Sequence, residues 1–314
     1  GIETECCGKS FNETLAKVYS NNPRLVNVYE KIKQTLMERE DCCKMKAYKA
    51  FDKNLTCRDF QYEIGETYET NEEPIICERG FHACTKFDDV FHYYDYGKET
   101  RICEVELLGD IDDMSQIDSK VATNRIKIVR ELTKKDFDKL GTEGAIVHLV
   151  LSGSRSISKE VIQKLSIESR CKIARFGSNH YRNMLADDPH SAVRYTIVEY
   201  GNNEHRDILI NDEDENVRRY VAIHGTNKHR DILLYDVSPK VRMLVASWGT
   251  NKHRDILVED EDADVRYEVA LCGNTRHHNI LVLDVDSKVR GAVVRVGNKR
   301  HHDMLIKDSD SHVR

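Results

Sequence analysis

The stretch SPKVRMLVASWGTNKHRDILVED, residues 238–260, decides the fold. Ser238 before Pro239 is an N-cap with proline at the first helical position, where its missing N–H costs nothing. Val241, Leu244, Val245 and Trp248 fall at i, i+3, i+4 and i+7 and form one apolar face. Gly249 closes this helix, read here as a residue free to take positive φ. Asn251 is the expected cap of a second, shorter helix carrying Ile256 and Leu257, and Glu259 and Asp260 form an acidic turn into the next unit.

The pattern returns every 24 residues. Val-Arg recurs at Val193-Arg194, Val217-Arg218, Val241-Arg242, Val265-Arg266, Val289-Arg290 and Val313-Arg314. Glycine keeps the step from Gly177 to Gly297, and leucine from Leu185 to Leu305. One such unit cannot bury its own apolar face, so residues 166–314 must stack as two-helix repeats. The wording Asp-x-Asp-x-x-Val-Arg-x-x-Val-Ala, then Gly-Asn, then Ile-Leu resembles the leucine-rich repeat variant and short HEAT-like families. That resemblance implies a right-handed all-α solenoid used for recognition, and leaves its ligand open.

The chain of 314 residues, 39% hydrophobic and 32% charged, has room for two or more domains. A net charge of −6 excludes a generally basic nucleic-acid binder but not a local basic patch. The sequence shows no signal peptide, and the apolar run 145–151 is too short to span a bilayer. Ten cysteines without a compact spaced framework suggest reduced thiols and a cytoplasmic setting. Residue 1 is glycine and the chain stops inside a new first helix, which suggests a piece of a longer protein or a last repeat covered by something else.

Before the repeats, residues 1–43 read as a helical hairpin, with a capping box at Ser10–Glu13 and a restart at Asn22-Pro23. Residues 44–132 read as a small α+β domain. Its strands are expected at 45–51, 60–64, 74–77, 80–84, 101–108 and 121–132, with a helix from Thr85 to Tyr94. Residues 133–165 read as capping helices and a degenerate first repeat, whose nearly all-apolar helix at 146–151 is expected to dock the two halves into one body. Tyr48-Lys-Ala-Phe51, Gly80-Phe-His-Ala-Cys84 and Ile126-Lys-Ile-Val-Arg-Glu-Leu132 resemble a domain of unassigned activity found in phage and bacterial proteins.

A column of histidines, His205, His229, His253, His277 and His301, stands at the start of each second helix. Lys228, Lys252, Arg276 and Arg300 precede four of them; Arg206, Arg230, Arg254, His278 and His302 follow. Cations there oppose the helix dipole, at about 0.3–1 kcal/mol each. Two readings stay open. Lys228, His229, Arg230, Lys252, His253, Arg254, Arg276, His277, Arg300 and His301 form an anion-binding surface for nucleic acid or an acidic protein, with affinity rising as pH falls. Alternatively, Asp207, Asp231, Asp255 and Asp303 pair with them in a ladder between repeats. The Val-Arg arginines read as structural, and Asp214, Asp262, Asp286 and Asp310 as caps.

In the α+β domain a plain binding module needs no special residues. The order Tyr48-Lys49-Ala50, Gly80-Phe81-His82, Glu104-Val105-Glu106 also bears a loose similarity to mono-ADP-ribosyltransferases, which implies NAD as cofactor and His82, Glu104 and Glu106 as catalytic residues. Lys49 departs from the His or Arg of that pattern, and the Glu-x-Glu lies one strand early. Cys57, Cys77, His82, Cys84 and Cys103 lack a standard zinc spacing, so no metal is assigned. The sequence thus reads as a macromolecular recognition protein. Its repeats bind protein or nucleic acid, its α+β domain is a second binding or effector module, and neither a membrane nor a cofactor is required outside the transferase alternative.

Overall fold

The computed structural model describes residues 44–115 and 117–314. The hairpin expected over residues 1–43 lies outside the described residues. Two compact units divide between Ala145 and Ile146.

The first unit is a seven-stranded sheet in the order β4-β9-β6-β1-β5-β8-β7. Its strands are β1 (Met45–Phe51), β4 (Thr67–Glu69), β5 (Phe81–Cys84), β6 (Arg101–Leu107), β7 (Ile111–Asp112), β8 (Lys120–Thr123) and β9 (Arg125–Glu131). A short hairpin of β2 (Thr56–Cys57) and β3 (Phe60–Gln61) adds a second sheet. Period-two alternation places Ala47 and Phe51, Cys103, Val105 and Leu107, and Ile126 and Ile128 in one buried cluster. β1 pairs with β6 along its whole length, from Met45↔Leu107 to Phe51↔Arg101. Its other edge meets β5 at the single pair Tyr48↔Cys84, which leaves the sheet open beyond that point.

Several expectations are corrected. The long final strand breaks at Asn124, whose side-chain oxygen accepts the Asp110 N–H at 2.9 Å. The expected helix from Thr85 shrinks to a 3-10 turn, Asp88–His92, because Thr85 N–H and Lys86 N–H donate to Ser119 and hold the chain along β8. Residues 74–77 form a turn closed by the bridge Ile75↔Arg79, with Cys77 at φ 68°. A capping box of Thr133 and Asp136 opens the following helix, Lys134–Leu140, and the left-handed Gly141 closes it.

In the second unit, first helices such as Glu215–His224, Pro239–Trp248 and Ala263–Cys272 alternate with second helices such as Asn227–Leu233, Asn251–Leu257 and Thr275–Leu281. Val193, Val217, Val241, Val265 and Val289 are fully buried, and Leu185 to Leu305 nearly so. The fold is therefore a small α+β domain followed by stacked two-helix repeats. Thr250, not Asn251, is the second-helix cap. Gly249 is also there for a different reason than the one read from sequence. Its φ is −81°, and an added Cβ would lie 2.4 Å from the Val245 carbonyl oxygen and 2.6 Å from His253 Nδ1.

Candidate functional site

Each repeat is riveted to the next by buried charge. Arg242 donates through Nε and Nη2 to Asp260 at 2.7 and 2.9 Å, and through Nη1 to the carbonyl of Asp236. Asp260 also accepts the backbone N–H of Asp262, so one carboxylate joins an arginine to the next helix start. The same rung recurs at Arg170–Asp188, Arg194–Asp212, Arg218–Asp236, Arg266–Asp284 and Arg290–Asp308. These arginines are structural, and Asp214, Asp262 and Asp286 cap their helices as expected, whereas Asp310 accepts the His312 N–H at the start of a turn rather than a helix.

The histidine column belongs to the same scaffold. His205, His229, His253, His277 and His301 are at most 3% exposed. In each, Nδ1 accepts the backbone N–H of the residue three before it, completing a capping box with histidine where glutamate usually stands. Nε2 then meets the preceding repeat: His229 with Asp207, His253 with Asp231, His277 with Asp255 and His301 with Asn279, at 2.9–3.0 Å. A ring nitrogen that accepts a backbone N–H carries no proton, so the geometry suits neutral imidazoles that donate through Nε2. His229, His253, His277 and His301 are therefore not on a surface, as the anion-binding reading required. The ladder is present at Asp207, Asp231 and Asp255, with imidazoles as its main bases and Arg276 also 3.4 Å from Asp255. Among the described residues Asp303 forms no rung, and Asn279 takes the fourth acceptor position.

Arg206, Arg230 and Arg254 reach back to the end of their own first helix. Arg254 Nε donates to the Ala246 carbonyl at 2.8 Å and Nη2 to that of Ser247 at 3.0 Å. Arg230 does the same to Ala222 and Ile223, and His278 to Ala270. These groups satisfy carbonyls that a helix end leaves open.

What remains exposed of the expected surface is Lys228, Lys252, Arg276 and Arg300. The structure adds a row that the sequence reading missed. Ile232, Ile256, Ile280 and Met304 follow those cations by four residues, one turn along the same helix face, and are 56, 50, 45 and 44% exposed. Tyr235, Val237, Leu283 and Val285, in the turns after two of these helices, are 72–91% exposed. The second helices thus present a row of cations beside a row of aliphatic side chains.

The sheet unit has a different kind of site. A cavity of about 520 Å³ opens where β1 and β5 part, lined by Tyr48, Lys49, Cys57, Arg58, Phe60, Tyr62, Phe81, His82, Cys84, Tyr93, Tyr94 and Lys120 among others. Lys49 Nζ bridges the gap to the His82 carbonyl at 2.9 Å and lies 3.6 Å from Cys57 Sγ. Burial pulls its ammonium below lysine's ordinary range. His82 Nε2 accepts the Cys77 N–H at 2.9 Å, and burial, followed by the nearby Lys120, holds its ring down to about 4.

Residues 45–140 match the family described as a domain of unknown function, DUF7666. The match takes in this sheet and the helix Lys134–Leu140 after it. A solved leucine-rich repeat variant with a novel repetitive structural motif is similar at 22% identity and a TM-score of 0.45, over 58% of this chain and 84% of that one. No curated protein matches the chain.

Of the residues proposed as catalytic, the structure places His82 in the cavity wall and Glu104 and Glu106 outside it. Glu104 is held by Lys46 at 3.0 Å and Arg130 at 2.9 Å, and Glu106 lies opposite Lys46 on the neighbouring strand. Burial pushes the Cys84 and Cys103 thiols up to about 12. Among the described residues no three of His, Cys, Asp and Glu assemble as metal ligands, and no helix is long and apolar enough to cross a membrane.

Proposed function

We propose that the chain is a macromolecular recognition protein whose second-helix face captures a protein. The observation that carries this reading is the paired row of exposed cations and aliphatic side chains repeated along the helices from Asn227 to Leu305. Large aliphatic side chains half-exposed at the same place in successive repeats gain nothing from water and gain from a partner that covers them. A protein surface with aliphatic residues flanked by carboxylates complements both rows, giving an apolar centre with a charged rim. Phosphate backbones suit the face less well. Asp231 and Asp255 stand three residues after Lys228 and Lys252 on the same helices, so the uncompensated positive charge that drives nucleic-acid binding is weak. The sheet domain is a second binding module, with the cavity as its site.

The test compares the wild type with Ile232→Ser/Ile256→Ser/Ile280→Ser and with Lys228→Gln/Lys252→Gln/Arg276→Gln/Arg300→Gln. All three are assayed for melting, for binding generic DNA and RNA, and for retention of partner proteins. The expected result is a protein held by the wild type and lost by the isoleucine variant at unchanged Tm, with no nucleic acid bound. Nucleic-acid binding that the lysine and arginine variant loses would overturn the reading. Incubation with labelled NAD tests the transferase alternative: transfer abolished by Glu106→Gln or His82→Ala would establish it.

A further inference from the structure

The cavity between β1 and β5 buries positive charge without matching it. Lys49 is 5% exposed and Lys120 8%. Among the described residues neither forms an ion pair: Lys49 Nζ has a carbonyl and a thiol, and Lys120 Nζ lies 3.4 Å from Cys77 Sγ and 3.8 Å above the Tyr93 ring. The cavity lining adds Arg58 and His82, and contains no aspartate or glutamate. An ammonium has three N–H groups to satisfy, and a buried one without a counter-charge is costly. The remaining wall is aromatic. Phe60, Tyr62 and Phe81 meet edge to face at 4.8–6.4 Å, and Lys49 stands 5.5 Å from the Tyr62 ring. A volume of about 520 Å³ falls in the range of small-molecule pockets.

We propose that this cavity binds a small organic anion bearing a planar ring, with its negative group taken by Lys49 and Lys120 and its ring set against the aromatic wall. A phosphate or a carboxylate would supply the missing counter-charge, and a flat ring packs on the aromatic faces and edges where an aliphatic chain would not gain the same contacts. This inference rests on the reading of the cavity as the sheet domain's binding site and is independent of the partner proposed for the repeats.

The experiment is isothermal titration of the full chain with adenosine monophosphate and with benzoate, each beside its uncharged counterpart, adenosine and benzamide. At least one anion is expected to bind with Kd below about 1 mM, and its neutral counterpart roughly tenfold or more weakly. The two anions distinguish a phosphate-bearing from a carboxylate-bearing ligand. Lys49→Met and Lys120→Met should each weaken the anion roughly tenfold and leave the neutral compound unchanged. The proposal falls if neither anion binds, if the neutral compounds bind as tightly, or if a folded lysine variant binds the anion as the wild type does. Should one variant fail to fold, the other and the comparison of anion with neutral compound decide the matter.

Discussion

Arg242 in the repeats and Lys49 in the sheet are both buried cations, 7% and 5% exposed. Arg242 meets the Asp260 carboxylate with two nitrogens and a carbonyl with the third. Lys49 meets a carbonyl and a thiol in the lining of a cavity. The difference separates two uses of buried charge. A cation whose donors are filled by its own chain holds the fold together. One that meets only a carbonyl and a thiol, with no carboxylate in the cavity wall, keeps a charge that the proposed anion would match.

The largest effect expected from this contrast is at a filled rung. Asp260→Asn leaves Arg242 buried beside a neutral group and should lower the stability of the repeats by about 3–5 kcal/mol in urea unfolding; a loss below about 1 kcal/mol would mean that the rungs are not what holds the stack. Next comes Gly249→Ala, whose Cβ has no room beside Val245 and His253. Overpacking of this kind should cost about 1–3 kcal/mol, and a stabilised variant would show that the glycine is there for freedom after all. Smaller still is the division within the expected basic column. Arg254→Gln, which uncaps a helix end, should cost about 1 kcal/mol, whereas the exposed Lys252→Gln should stay within about 0.5 kcal/mol. Equal effects would erase the distinction between scaffold and face.

The pH dependence sharpens the same point. His82 and His148 are held down to about 4 by burial, against 6.5 for free histidine, and His205 and His301 shift in the same direction. The unfolded chain therefore takes up these protons first. Stability is full above pH 6.5 and should decline as pH falls toward 4. A urea midpoint that rises over that interval would restore the expectation that the histidines gain charge on a surface.

The repeats were legible because a period of 24 fixes which positions are equivalent. What each position does was harder to read. Ile256 and Leu257 are adjacent and both apolar, yet one is 50% exposed and the other 2%; their sequence does not say which one the turn before the helix aims inward. The burial of the histidines did have a signal. Asn202, Thr226, Thr250, Asn274 and Asn298 stand three residues before them, the spacing of a capping box, with histidine in glutamate's place. The cavity left no such trace. It exists because β1 and β5, more than 30 residues apart in the chain, share one registered pair and then diverge, and nothing local to either strand encodes that divergence.

The contrast is tested most directly by hydrogen exchange on two variants that each remove one buried cation, Arg242→Met and Lys49→Met, with protection read separately in the repeats and in the sheet. The account predicts that Arg242→Met lowers the opening free energy of the repeats by about 3–5 kcal/mol. Lys49→Met should leave the sheet within about 1 kcal/mol of the wild type, or above it, because it removes a charge that no carboxylate among the described residues neutralises. Equal losses in the two variants would contradict it, and would make Lys49 one more structural rung.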